Sequence, residues 1–279
     1  MPRDIVAITG ASSGIGKEFA SRLAPTHDLI LIARREERLR ALAGEFERAY
    51  NTGTEVLVAD LSAQDDLDRA AARIENEPRL VLLVNNAGFG TRGRFWEAPL
   101  ESQQKMHRLH VMATLELTHA ALRNMVPRDR GGIINVSSVS AYVRVPGTVS
   151  YAATKTWMNT LTEGVYLELR AMRSQVILQA LCPGYTYSEF HDRLGVDREE
   201  LDRRPGFWMT ADEVVEASLE GLRRRKLFVI PGWRYRLLAA FLSKLPSGLR
   251  LQAEAIGGKL RSGQYEVPSE TPKQVKAPE

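Results

Sequence analysis

Ile5-Val6-Ala7-Ile8-Thr9-Gly10-Ala11-Ser12-Ser13-Gly14-Ile15-Gly16-Lys17-Glu18-Phe19 decides the fold. The apolar run Ile5 to Thr9 reads as a strand, and a helix opens at Lys17-Glu18-Phe19. Between them the glycines permit a tight turn, close backbone approach to a pyrophosphate and close packing of helix on sheet, while the helix N-terminus supplies unpaired N–H donors. A dinucleotide is the natural guest. A plain flexible loop is the competing reading, and the strand before and helix after weigh against it.

Outward from that turn, short apolar runs alternate with longer stretches of helical spacing. Runs 5–9, 29–33, 56–59, 80–85, 133–137, 176–182 and 227–230 read as strands, and 15–24, 35–50, 64–76, 103–126, 151–172 and 211–224 as helices. Strands apolar on both faces, each followed by a helix, are what a parallel sheet covered on both sides requires, and right-handed crossovers make it doubly wound. The expected fold is α/β: a Rossmann-type, doubly wound, seven-stranded parallel sheet with helices on both faces. Thr210-Ala211-Asp212-Glu213 adds a capping box at the start of the last of these helices. Residues 1–232 are expected to form this body, 233–261 a basic amphipathic segment, and 262–279, with three prolines and little to bury, a disordered tail, linker or expression remnant.

The 279 residues are 44% hydrophobic and 26% charged, which argues against a fibrous or disordered chain. A single cysteine, Cys182, cannot form an internal disulfide, and no signal-peptide apolar segment precedes the first strand, so a cytoplasmic location is expected. The longest late apolar stretch, 227–245, is cut by Pro231, Arg234, Arg236 and Lys244, which rules out a spanning helix. Net charge is +4, but residues 223–261 hold ten basic side chains against one acid, Glu254, so that segment carries +9 and the remainder −5. Such asymmetry attracts anionic partners over about one Debye length, roughly 8 Å.

The motifs, in their order, resemble the short-chain dehydrogenase/reductase family over roughly residues 4–232. They are the glycine turn with three residues between its first two glycines, Asn85-Asn86-Ala87-Gly88 after the fourth strand, Ser138 after the fifth, Tyr151-x-x-x-Lys155, and Pro183-Gly184 after the sixth. The resemblance implies hydride transfer between a nicotinamide cofactor and a carbonyl carbon, with Tyr151 donating or removing the proton on oxygen. It further implies that Lys155 anchors the nicotinamide ribose and Asp60 with Leu61 the adenine end. Gly10, Ser12, Ser13, Gly14, Ile15, Gly16, Asn86, Ala87, Gly88, Pro183, Gly184 and Ser188 would complete the cofactor cleft. A homodimer or homotetramer is the family expectation.

Which nicotinamide cofactor binds follows from charge after the second strand. An acid there would accept from the ribose 2′-hydroxyl and repel a 2′-phosphate. This chain has Arg34-Arg35. Guanidinium grips phosphate bidentately, and charged hydrogen bonds of roughly 1.5–3 kcal/mol imply about ten- to a hundredfold preference for NADP(H). Solvated arginines opening a helix are the plainer reading.

Tyr151 and Lys155 lie four apart in a helical stretch and share one face. A phenol with pKa near 10 is a poor acid–base catalyst at neutral pH, but a nearby ammonium and the positive nicotinamide of the oxidised cofactor both favour phenolate. The gross attraction of the ammonium at about 4 Å is roughly 4 kcal/mol, an upper bound of about three pKa units. Ser138 ends the fifth strand, where the crevice lies, and its hydroxyl can hold the substrate oxygen. The family commonly has asparagine in the fourth helix, where it helps hold a water linked to the catalytic lysine; here His110 stands there. Imidazole can donate and accept, so a proton relay titrating near pH 6.5 is one reading of His110, and simple filling of a helix kink is the other.

Residues 185–209, with Tyr185, Tyr187, Phe190, Leu194, Phe207, Trp208 and Met209, suit a mobile lid over an apolar substrate, or packing. With Phe89, Tyr142 and Tyr185 as substrate contacts, a hydrophobic ketone or aldehyde and its alcohol are expected. Residues 233–245 place Leu237, Leu238, Phe241, Leu242 and Leu245 on one helical face flanked by Arg234, Arg236 and Lys244. That pattern fits peripheral contact with an anionic membrane, a cover for the substrate cleft, or a subunit interface. No nucleic-acid motif accompanies the charge. A non-catalytic NADP-sensing protein is the rival function, and Ser138, Tyr151 and Lys155 weigh against it because a sensor needs no acid–base pair.

Overall fold

The computed structural model describes residues 2–91, 93–189, 207–246, 248, 249, 251, 252 and 254. Seven strands, β1 (Ile5–Thr9), β2 (Asp28–Ala33), β3 (Thr54–Val58), β4 (Leu80–Asn85), β5 (Gly132–Val136), β6 (Ile177–Leu181) and β7 (Phe228–Val229), form one sheet in the order 3-2-1-4-5-6-7. All neighbouring strands run parallel. Around it pack α1 (Gly14–Leu23), α2 (Glu36–Tyr50), α3 (Gln64–Glu75), α4 (Leu100–His107), α5 (Ala113–Met125), α6 (Val149–Ala171), α7 (Ala211–Arg223) and α8 (Trp233–Lys244). This is the expected Rossmann-type arrangement.

Strand side chains alternate between two layers. Ile5, Ala7, Ile30 and Ile32 pack with Leu67 and Ile74 of α3 and Leu117 and Ala121 of α5. Val6, Ile8, Leu29 and Leu31 pack with Phe19 of α1, Leu39 and Phe46 of α2, and Val214 and Val215 of α7. Each such fully buried large side chain contributes roughly 1.5–3 kcal/mol, so both faces of the sheet are fixed. The strand order reverses between β1 and β4, which opens a crevice at their carboxyl ends. A buried polar network braces that end. Asn85 Nδ2 donates to Thr118 Oγ1 at 3.1 Å and to Asn135 Oδ1 at 2.9 Å, and Asn135 Nδ2 donates to Thr162 Oγ1 at 2.9 Å.

Three elements differ from their sequence reading. The helix expected over 103–126 begins at Leu100 and is interrupted by a π-turn at Arg108–Met112, where one extra residue per turn swings His110 into the interior. The last strand is only Phe228–Val229, because pairing with β6 stops at Leu181↔Val229 and Pro231 has no N–H to extend it. The single leucine-rich face read over 233–245 is divided on α8. Tyr235, Ala239 and Leu242 are buried while Leu237 and Phe241 point outward with Trp233. The reason is Tyr235: its ring lies so close to Gly184 that a side chain there would collide with it. Arg144 N–H donates to Glu254 Oε1 at 3.2 Å, tying the C-terminal segment to the loop after β5. The remainder of 233–261, the tail 262–279 and the centre of the 185–209 lid fall outside the described residues.

Candidate active site

At the reversal point Thr9 and Asn86 lock β1 to β4. Thr9 Oγ1 accepts from the Asn86 and Ala87 N–H groups at 2.9 Å each, and Asn86 Nδ2 donates to Thr9 O at 2.9 Å. Gly10 has φ +67°, and a Cβ there would lie 2.8 Å from Asn86 Nδ2 and 2.9 Å from Ala87 Cα, so both conformation and space demand glycine. Beside this junction lies a cleft of about 360 Å³. Gly10, Ser12, Ser13, Gly14, Ile15, Arg34, Arg35, Asp60, Leu61, Asn86, Ala87, Gly88, Pro183, Gly184 and Ser188 line it, as do Ser138, Tyr151, Lys155, His110, Phe89 and Tyr185. Gly16 does not face the cleft; it packs beneath the Gly10 carbonyl, which a side chain would strike.

The end of the cleft beside the glycine turn carries Arg34 and Arg35. Arg35 Nε and Nη2 donate to Ser12 Oγ at 3.1 and 3.0 Å, and Nη2 donates to Ser13 Oγ at 2.7 Å. Arg34 sits 3.7 Å from Asp60 Oδ2, which also pairs with Lys105 at 3.1 Å. Ser62 donates its backbone N–H and its hydroxyl to Asp60, and with Lys105 they hold that carboxyl below its usual range against the opposing effect of burial.

At the other end, Ser138 follows β5 by two residues and caps a short 3-10 turn, and Tyr151 and Lys155 project from α6. The Ser138 hydroxyl is hydrogen-bonded to the Tyr151 phenol and accepts from the Ser140 N–H at 3.1 Å. Lys155 is buried; its Nζ donates to Val136 O at 2.8 Å and lies 5.7 Å from the Tyr151 ring centre. Burial pushes the Tyr151 phenol up to about 12 and pulls Lys155 down to about 7. The drop of the phenol toward neutrality, expected from the lysine cation together with an oxidised nicotinamide, is not produced by the lysine's proximity, because burial dominates both groups. Both groups are desolvated, and the ammonium loses its proton first.

His110 also departs from its reading. Its Nε2 accepts from the Phe89 N–H at 3.2 Å, so its proton lies on Nδ1, which donates to Thr154 Oγ1 at 3.0 Å; that hydroxyl donates onward to Tyr151 O at 2.8 Å. Protonating Nε2 would set two N–H groups against each other. Burial, followed by the Lys155 charge, holds the ring well below its ordinary pKa, so titration near pH 6.5 is overturned. A buried neutral imidazole packed against Gly88 remains, its Nε2 2.7 Å from where a Gly88 Cβ would be.

Of the expected substrate contacts, Phe89 and Tyr185 face the cleft and Tyr142 does not. Its hydroxyl turns toward Cys182 instead, and burial raises that phenol. The cleft wall includes Trp208, read as part of the lid, and Leu238, read on the face offered as a cleft cover, together with Tyr235 and Glu189, which sequence reading missed. Tyr185 and Trp208 stack at 5.0 Å. Tyr235 Oη accepts from the Tyr185 N–H at 3.0 Å and donates to Phe207 O at 2.7 Å, placing α8 over the apolar end. Basic residues at i and i+3, Arg35 and Arg38, were a usable signal for an anion-binding end of the cleft; nothing local pointed to Tyr235 or Glu189.

The cradle suits a dinucleotide on its own geometry. The first turn of α1 contains no acid and Ser13 makes no side-chain cap, so that helix offers its N–H donors and dipole to an anion. Comparisons with known proteins agree with that reading. The family model described as short chain dehydrogenase matches residues 4–199. Gluconate 5-dehydrogenase of Gluconobacter oxydans is 32% identical over 229 residues, 80% of this chain and 88% of its own. A short-chain dehydrogenase from Sphingobium yanoikuyae, solved in complex with NADPH, is 32% identical with a TM-score of 0.76 over 100% of this chain and 99% of its own. A bulky-bulky ketone specific alcohol dehydrogenase from Comamonas testosteroni is 26% identical, TM-score 0.73, with both chains covered in full.

Proposed function

Since the chain belongs to the short-chain dehydrogenase/reductase family and is an oxidoreductase, we propose that it interconverts a bulky apolar ketone or aldehyde and its alcohol with NADP(H). One observation carries the chemistry: the Tyr151 phenol, bonded to Ser138, lies in the cleft wall with Lys155 one helical turn away. Ser138 orients the substrate oxygen. Tyr151 gives that oxygen a proton in reduction and removes it in oxidation. Lys155 and the phenol would hold the nicotinamide ribose, Gly10, Ser12, Ser13, Gly14 and Ile15 the pyrophosphate, and Arg34 and Arg35 the 2′-phosphate. A bound nicotinamide supplies or accepts the hydride and, when oxidised, adds a positive charge near the phenol. Moving the Lys155 ammonium from Val136 O toward the ribose would restore the charge that favours phenolate.

Apolar specificity is supported by Phe89, Tyr185, Trp208 and Leu238 at one end of the cleft and by the likeness to a ketone-specific enzyme. NADP preference is supported by Arg34 and Arg35 beside the glycine turn and by the NADPH-bound relative. A homodimer or homotetramer and a cytosolic location, with α8 toward a membrane surface, complete the proposal. Exposed Leu115 on α5 and Leu167 on α6 are apolar surface that a second copy would cover.

Titrations of the protein with NADPH and NADH, with turnover followed on a panel of bulky ketones, test this reading. Tyr151→Phe is expected to lose at least about a thousandfold in kcat while NADPH still binds, weakened by no more than the roughly two- to tenfold of one lost hydrogen bond to the ribose. Retained turnover removes the tyrosine from its role, and equal affinity for the two cofactors removes the NADP preference.

A further inference from the structure

Glu189 enters the cleft from the wall opposite Arg35, on the segment following β6. Arg35 Nη1 donates to Glu189 Oε2 at 2.7 Å, and Arg38, one turn further along α2, donates to Oε1. The neighbouring Ser188 brings its Cβ to 3.2 Å from where a Cβ on Gly14 would lie. Ser188 and Glu189 therefore lie across the glycine turn, with a carboxylate held by two guanidinium groups. Arg35 still keeps its bonds to Ser12 and Ser13.

Carboxylate and phosphate monoester are the two anions that a guanidinium fork binds best, through the same paired donors. On the reading that Arg35 faces the 2′-phosphate, one seat serves two anions. We propose that Glu189 is a cofactor-specificity residue: its carboxylate holds the Arg35–Arg38 seat in the free enzyme, and NADP(H) binds by exchanging its 2′-phosphate for that carboxylate. NAD(H) leaves the seat with Glu189. The residue thereby narrows the advantage of the phosphorylated cofactor without abolishing it. Arg35 and then Arg38 hold the Glu189 carboxyl down at about 2, so the competing anion is present throughout the physiological pH range.

The inference rests on the proposed nucleotide orientation, and the test separates the two. Adenosine 2′,5′-bisphosphate and adenosine 5′-monophosphate differ only in the 2′-phosphate and carry no nicotinamide. Their dissociation constants would be measured by calorimetry for the native protein, Glu189→Gln and Glu189→Ala, alongside NADPH and NADH. Both variants are expected to bind the bisphosphate about five- to tenfold more tightly, with the monophosphate unchanged within about twofold. No gain for the bisphosphate, or an equal gain for both nucleotides, overturns the exchange. A native protein that favours NADH while the variants still gain bisphosphate affinity keeps the exchange and overturns the NADP preference. A native protein that favours NADPH with no gain in the variants does the reverse. The side chain is 38% exposed and the glutamine is isosteric, so folding is preserved.

Discussion

Lys155 is 4% exposed, and burial brings its ammonium down to about 7 from an ordinary 10.5. The folded value lies below the unfolded one, so the unfolded chain binds more protons between those two pH values. Stability accordingly rises with pH from about 7 toward 10.5, and below pH 7 the full cost of the buried charge is present. At about 1.4 kcal/mol per pKa unit, that cost is several kcal/mol. Lys155→Met is expected to abolish turnover yet stabilise the protein by about 1–4 kcal/mol at pH 7. Urea unfolding from pH 7 to 8.5 should show the native protein gaining stability and the variant staying flat; equal slopes would refute the assignment. Ser138, Tyr151 and Lys155 were legible because a strand end and an i, i+4 spacing are local features. Glu189 was not, since its partner Arg35 is 154 residues away and only the fold brings them together. The His110 tautomer was equally hidden, being set by the Phe89 N–H and Thr154.

Helix α7 begins with reciprocal bonds. The Glu213 N–H donates to Thr210 Oγ1 at 3.2 Å, and the Thr210 N–H donates to Glu213 Oε2 at 2.8 Å. Its inner face buries Val214 and Val215 against the sheet, so the cap acts on a packed helix. Thr210→Ala is expected to cost about 1 kcal/mol in thermal or urea unfolding with kcat/KM unchanged within about twofold; a loss below about 0.3 kcal/mol would show the box to be idle. This start was legible because a capping box is four consecutive residues. The π-turn at Arg108–Met112 was not. Its wider backbone accommodates His110 beside Gly88 and Thr154, contacts contributed by distant β4 and α6 surroundings rather than by helical periodicity. In the same way β7 was legible as apolar and its two-residue length was not, because β6 decides where pairing ends.

Across the molecule, α8 carries two apolar faces. Tyr235 and Leu238 face the cleft, while Trp233, Leu237 and Phe241, spaced four apart and each about 60% exposed, form an outward stripe with Arg236 and Lys244. No helix among the described residues is long and apolar enough to cross a membrane, so any bilayer contact of this stripe is peripheral. Co-sedimentation with vesicles containing anionic lipid is expected for the native protein and is expected to fall at least about fivefold for the double substitution Leu237→Glu and Phe241→Glu. Equal recovery of both proteins with vesicles, or of neither, would exclude the contact. The basic bias of this region was visible in composition; its division into inner and outer faces depended on Tyr235 reaching Tyr185 and Phe207.

The uniform strand direction has a practical corollary. With all seven carboxyl ends along the sheet edge that bears the cleft, the opposite rim, where Asp4 pairs with Arg130 and Asp28 with Arg79, contributes nothing to its wall. A resin linker, affinity handle or fused partner enzyme attached along that rim would leave the mouth unobstructed, so the protein can be immobilised without sacrificing access to the reacting groups.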